Sequence, residues 1–210
     1  MRKILGVLTM GACFFCVGAA SASTDACMTV AAAKYQQWLQ PRVLLRKTKT
    51  FSNGSVLTDE IIVTIDTAYV LHRGHWWAGN IGQNERGARS PEHLLMNMGL
   101  ANCEEGNAAQ VSGQPARLYS YSYGADRNGL ATRGAMWISD ATGLPLREEL
   151  HETAPPANPF VATAVETTYA YNADVHVPLA AENADSDRLF QTKTLLEHLQ
   201  MTGLPSGKAH

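Results

Sequence analysis

The spacing of apolar and polar positions changes period along the chain, and those changes divide it into elements. From Ala26 to Leu39, residues Cys27, Val30, Ala31, Lys34, Tyr35 and Trp38 recur at helical spacing, with Asp25 suited to cap the run and Pro41 to stop it. Beyond Pro41 the period drops to two. Val43–Phe51, Val56–Ile65, Ala68–His72 and His75–Trp77 are rich in Val, Ile, Thr and aromatics and are joined by short turn sequences, which predicts a meander. Parallel pairing would need crossover connections longer than these turns. The stretch 78–90 is polar and glycine-rich, hence a loop. Ser90-Pro91-Glu92 then opens a second helix, with Leu94, Leu95 and Met98 on its apolar side and its end near Ala101.

Strands resume at Gln110-Val111 and Ala116–Tyr123, and continue as Leu130–Ser139, Leu144–Glu152 and Phe160–Tyr171, with Val175–Pro178 as a last short strand. Asp140 and Gly143 bracket a short loop with a left-handed residue and a bulge, so Met136–Glu152 reads as a hairpin. In that register Ile138 lies opposite Leu146 and Trp137 opposite Arg147. Pro145 lacks a ladder donor and suits an edge or a bulge. With about nine to eleven strands and two inserted helices, the expected fold class is mainly β with helices (α+β): an incomplete antiparallel β-barrel, that is, a strongly curved sheet, covered by the inserted helices. After Pro178, an alanine-rich linker leads to a helix carrying Leu189, Leu195, Leu196 and Leu199, ended by Gly203 and Pro205.

Residues 1–22 belong to none of this. Arg2 and Lys3, the apolar stretch from Ile4 to Val17 and Ala20-Ser21-Ala22 have the order of a signal peptide and its cleavage site. The expected organisation is therefore 1–22 signal peptide, 23–178 open-barrel domain and 179–210 C-terminal linker and helix, in a protein exported to the periplasm. No later apolar run is long enough to span a bilayer, so no transmembrane segment is expected in the mature chain. Losing the leader removes two of the 17 basic residues and none of the 19 acidic ones, which takes the net charge from −2 to −4. That balance excludes a nucleic-acid partner. The leader also takes Cys13 and Cys16, leaving Cys27 and Cys103, in an oxidising compartment most simply one disulfide closing a loop of roughly 75 residues. The other reading is two buried free thiols.

The order of elements, together with Tyr69-Val70-Leu71-His72-Arg73-Gly74-His75-Trp76-Trp77, the stretch from Val111 to Tyr119 (Val-Ser-Gly-Gln-Pro-Ala-Arg-Leu-Tyr) and the stretch from Trp137 to Arg147 (Trp-Ile-Ser-Asp-Ala-Thr-Gly-Leu-Pro-Leu-Arg), resembles the LolA-like and RseB-like periplasmic superfamily. The resemblance spans most of Cys27–Pro178. It implies an open barrel around a hydrophobic cavity, with helices closing the mouth, and an acyl chain, lipid or lipoprotein as the occupant. It also places Trp77, Leu94, Leu95 and Met98 at the cavity. The Arg-Pro pair of the lipoprotein carrier has no counterpart, since Pro41-Arg42 is in the reverse order, so no carrier residue is transferred. The Cys27/Cys103 pair resembles that of uncharacterised members.

Candidate chemistry is sparse. The chain has no nucleophile elbow, no H-E-x-x-H and no phosphate loop, so a non-enzymatic protein without cofactor is expected. His72 and His75 face each other across the Arg73-Gly74 turn, but zinc needs further ligands and none is evident in sequence, so no metal site is assigned and a metal-dependent activity there is the third reading. Glu148 shares a strand face with Leu144, Leu146 and Leu150, so strict alternation buries it; the plainer reading has the strand twist out of the core there. The expected ligand-binding residues are Trp77, Leu94, Leu95, Met98, Trp137 and Glu148. A hydrophobic ligand is the expected partner, and an RseB-like sensor or protein-interaction module is the alternative.

Overall fold

The computed structural model describes residues 19–72, 74–80, 90–123, 132–152 and 162–179. Most of the expected leader, most of the expected 78–90 loop and the expected C-terminal helix lie outside them. The described residues form α1 (Ala19–Leu39), β1 (Val43–Phe51), β2 (Val56–Val63), β3 (Thr67–His72), β4 (His75–Asn80), α2 (Pro91–Met98), β5 (Leu100–Val111), β6 (Gln114–Tyr123), β7 (Thr132–Ser139), β8 (Pro145–Glu152) and β9 (Ala162–Tyr171). The strands make one antiparallel sheet in the order β4-β3-β2-β1-β9-β8-β7-β6-β5. It is a curved sheet that does not close, so β4 and β5 are its edges.

Both helices lie on the same side of this sheet: α1 packs chiefly on β5 and α2, and lightly on β6, β7 and β8, and Leu95 of α2 packs on the buried cluster that α1 shares with β6 and β7. The second helix follows its sequence signals. Ser90 caps it by accepting from the His93 N–H at 3.3 Å, Pro91 opens it, and Gly99 ends it at φ +61°.

Four expectations are corrected. The first helix starts at Ala19 rather than Ala26, so Asp25 is an interior residue; the Ala- and Ser-rich stretch ahead of it has no residue that breaks a helix. The stretch after α2 is a twelve-residue strand, not a short one at Gln110, because nearly every position of β5 is exposed and an edge strand has no apolar alternation to betray it. Val175–Pro178 is not a strand: a 3-10 turn at Asn172–Asp174 ends the sheet and leaves Val175 buried. In the 136–152 hairpin, Gly143 is left-handed (φ +69°) and Trp137 lies opposite Arg147, as read, but Ile138 lies opposite Pro145, because Leu146 is the extra residue of the bulge beside a proline that cannot donate.

Candidate functional site

Glu148 is the centre of the buried face. It is inward by alternation on β8, and it is 1% exposed, so the strand does not twist it out. An isolated carboxylate there would be costly. Its partner comes from α1. Lys34 lies on the same helical stripe as Cys27, Val30 and Ala31, is 2% exposed, and donates from Nζ to Glu148 Oε2 at 2.6 Å. The Tyr169 hydroxyl donates to the same oxygen at 2.8 Å, and the Tyr121 hydroxyl to Oε1 at 2.5 Å. One carboxylate thus joins α1, β6, β8 and β9. Burial pushes its pKa up, but the Lys34 ammonium and the three hydrogen bonds outweigh that and hold it below the usual carboxylate range. Burial and the Glu148 charge push the Tyr121 and Tyr169 hydroxyls well up, so they stay protonated donors.

A second ion pair lies two strands away. Lys49 on β1 donates to Asp59 Oδ2 on β2 at 2.9 Å, and both are buried. Between the pairs sits Lys47, 1% exposed. Asp59, Lys47, Thr167 and Glu148 are successive cross-strand neighbours over β2, β1, β9 and β8, so they form one row across the inner face. Burial lowers the Lys47 pKa to about 7, against the attraction of Glu148 and with the repulsion of Lys49 and Lys34.

This charged belt separates two apolar clusters. On one side are Val43, Leu45, Ile61, Val63, Ala68 and Val70, packed with Trp38, Tyr169 and Tyr171. On the other, Ala26, Cys27, Val30 and Ala33 of α1 pack with Cys103, Tyr119, Tyr121, Met136 and Ile138. Cys27 and Cys103 are joined as a disulfide, with Cα atoms 5.1 Å apart. Asn102 makes that reach feasible. It is left-handed (φ +53°) at a register shift between Ala101 and Glu104, donates to Ser122 Oγ at 3.0 Å, and turns Cys103 inward on a strand otherwise facing water.

The six expected ligand residues do not converge. Trp77 stands opposite Val70 at the β4 edge, on the same face of the sheet as the first apolar cluster. Leu94 is buried under α2, Leu95 packs on the second cluster, and Met98 is half-buried at the helix end. Trp137 faces the opposite side of the sheet from Met136 and Ile138, beneath the Arg147 guanidinium at 5.1 Å. Glu148 is in the belt. His72 and His75 pair across their turn as read, and among the described residues no three His, Cys, Asp or Glu side chains gather. A cleft of about 220 Å³, lined in part by Leu44, Arg46, Thr168 and Ala170, contains none of the six.

Lys34, Lys47, Lys49 and Asp59 were missed. A signal existed for one pair. Lys34 and Glu148 are each a charge out of place on an apolar face, and their signs are opposite. Lys47 and Lys49 share strand parity with Val43 and Leu45, but from Arg46 to Thr50 neither face of the strand has an apolar residue to mark the inner one.

No protein-family profile matches the chain, and no curated protein sequence matches it. Solved structures are similar at low identity. The Mycobacterium tuberculosis lipoprotein LppX is 12% identical over 74% of this chain and 99% of that one, with a TM-score of 0.48. LprF from Mycobacterium bovis is 15% identical over 76% and 99%, at 0.44. The Pseudomonas aeruginosa MucA/MucB complex is 14% identical over 74% and 62%, at 0.43. No ligand or partner is read from likenesses of this size. The open curved sheet with both helices on one face agrees, by its own topology, with the LolA-like fold that the sequence resemblance implied. Among the described residues, no helix is long and apolar enough to cross a membrane.

Proposed function

We propose that this is a periplasmic binding protein that holds a lipid, acyl chain or lipoprotein on the inner face of its open sheet and performs no chemistry on it. The observation that carries the reading is the pair of apolar rows over the β1–β4 half. Trp77, Val70, Ile61, Leu45 and Tyr169 are successive neighbours across five strands, and Gly79, Ala68, Val63, Val43 and Tyr171 form the row beside them. Successive strands are about 4.8 Å apart, so each row runs about 19 Å, the length of an extended chain, and its Val, Ile, Leu and Ala members are buried. Helix α1 packs chiefly elsewhere, on β5 and α2, and reaches these rows through Trp38 near its end. The leader supports the compartment.

Native mass spectrometry of protein purified from its own periplasm tests this. Co-purified lipid is the expected result. An empty protein that also ignores fluorescent fatty-acid probes would overturn it. The second reading, an interaction module, is favoured by β5: of its twelve residues only Cys103 is buried, and among the described residues its outer edge carries no strand partner. A stoichiometric protein chain in the same spectra would select that reading.

A further inference from the structure

Leu44 and Arg46 alternate along β1 with Leu45 and Lys47 of the buried face, so they point to the other side of the sheet. Across β9 they stand opposite Ala170 and Thr168, and these four residues line a cleft of about 220 Å³. Leu146, the extra residue of the β8 bulge, lines it too, as does Tyr169, whose hydroxyl turns to the buried face. The β5–β6 turn supplies Val111, Ser112 and Gln114. Val111 and Gln114 are the last ladder pair, and the two residues between them are left-handed, Ser112 at φ +50° and Gly113 at φ +80°. That is the tight hairpin turn whose twist matches its strands, so Ser112 and Gln114 are held in place. Arg46 donates from Nε to Glu60 Oε1 at 2.9 Å, which leaves its two terminal amino groups without a protein acceptor. Among the described residues, the side chains of Thr168, Ser112 and Gln114 make no hydrogen bond either. Arg147, opposite Thr168 on β8, is held by Glu149 and Glu166 and stays out of the lining. The cleft is therefore lined by one cation and no acid, with Leu44, Val111, Leu146 and Ala170 as its apolar part.

We propose that this cleft binds a small carboxylate with an apolar body. Apolar walls with a few convergent polar groups are the usual form of a small-ligand site, and this volume lies below the drug-sized range of about 300 Å³ upward. The carboxylate takes the two free amino groups of Arg46 as a fork, with Thr168, Ser112 and Gln114 as further donors. The body lies against Leu44, Leu146 and Ala170. Glu60 keeps the Nε side of the guanidinium, so the fork is left for the ligand. A free acid and the C-terminal residue of a peptide share this chemistry. The site goes beyond the lipid reading and does not rest on it, since Leu44, Arg46, Thr168 and Ala170 face away from the apolar rows.

The test is an NMR titration of the isotope-labelled, disulfide-intact protein with N-acetylleucine, N-acetylleucinamide and a pentapeptide ending in leucine. The acid is expected to shift the backbone amide signals of Ser112, Gly113, Gln114 and Thr168 saturably. It is also expected to bind at least about tenfold more tightly than the amide, since hydrogen bonds between charged groups are the stronger class. Arg46→Gln is expected to bring the acid down to the affinity of the amide, and Arg46→Lys to keep part of the preference, because it retains the charge without the fork. Arg46 is exposed and its pair with Glu60 contributes little to stability, so both variants are expected to fold. A peptide that binds as tightly as the acid assigns the site to chain termini, and exclusion of the peptide assigns it to free acids. Equal affinities for acid and amide, shifts confined to other residues, an undiminished preference in Arg46→Gln, or no saturable shift at all would overturn the carboxylate site. The lipid reading is untouched by any of these results, because co-purified lipid decides it.

Discussion

Lys34 Nζ and Glu148 Oε2 lie 2.6 Å apart, 114 residues apart in sequence, with side chains only 2% exposed. This contact fixes where α1 sits over β8. Buried pairs of this kind are often no more stabilising than apolar residues of the same volume, although breaking one leaves a charge stranded. Glu148→Gln or Lys34→Met alone is therefore expected to cost about 3–5 kcal/mol, and the Lys34→Met/Glu148→Leu double variant to cost less than the sum of the two, the remainder being the Tyr121 and Tyr169 hydroxyls left without their acceptor. Urea denaturation of the three proteins decides it, and a loss in the double equal to that sum would rule the pairing argument out.

The same carboxylate sets an acid limb. Its folded pKa is below its unfolded value, so its contribution is fully present above about pH 4.5 and is lost as the pH falls through the folded value. Stability measured from pH 5 downward should drop more steeply in the parent protein than in Glu148→Gln.

Lys47 has the opposite consequence. Its pKa is about 7 folded and 10.5 unfolded, so between those values the unfolded chain binds more protons and stability rises with pH. The rise from pH 7 toward 10 is expected to be on the order of a few kcal/mol. Above 10, the raised Tyr121, Tyr123 and Tyr169 hydroxyls reverse the trend, because the unfolded tyrosines ionise first. Lys47→Met should flatten the neutral-to-basic limb; an unchanged slope would show that Lys47 is not its source.

Gly134 lies directly opposite Tyr121, and a Cβ there would fall inside the tyrosine ring. The missing side chain is what lets that ring lie across β7 and reach Glu148. Gly134→Ala should cost about 1–3 kcal/mol by overpacking and displace the ring. Tyr121→Phe, which removes only the hydroxyl, should cost about 1–2 kcal/mol. If the two effects add fully in the double variant, glycine and hydroxyl do not act through the same ring position.

The Cys27–Cys103 bridge closes a long loop, and chain entropy gives it up to about 4 kcal/mol. Cys27→Ser/Cys103→Ser should lower the thermal midpoint by several degrees. If Asn102 serves the bridge, Asn102→Val should destabilise the oxidised protein by about 1–2 kcal/mol, and Asn102→Gly far less, since only the former resists positive φ.

Legibility in the sequence tracked the range of the forces involved. The hairpin at 136–152 was readable because Asp140 and Gly143 set a local turn, yet its bulge fell at Leu146, where the neighbouring strands have the deciding influence. The cap of α2 was readable down to Ser90, because a cap involves only adjacent residues. Strand β5 was not, since eight of its twelve residues are exposed and it has no hydrophobic period.

By itself, then, the sequence determined most of the strand segments, the antiparallel class and the two cysteines left to pair, which follow from local backbone preference, period and covalent chemistry. Tertiary structure alone decided which charges went inside. Lys47 and Lys49 follow Val43 and Leu45 on one face of β1, and only the position of that strand between β2 and β9 buries the polar end of that face. Lys34 and Glu148 each broke an apolar pattern, but only the packing of α1 on the sheet brought the two exceptions together, because a charge can be buried cheaply only where another distant segment delivers its counter-charge.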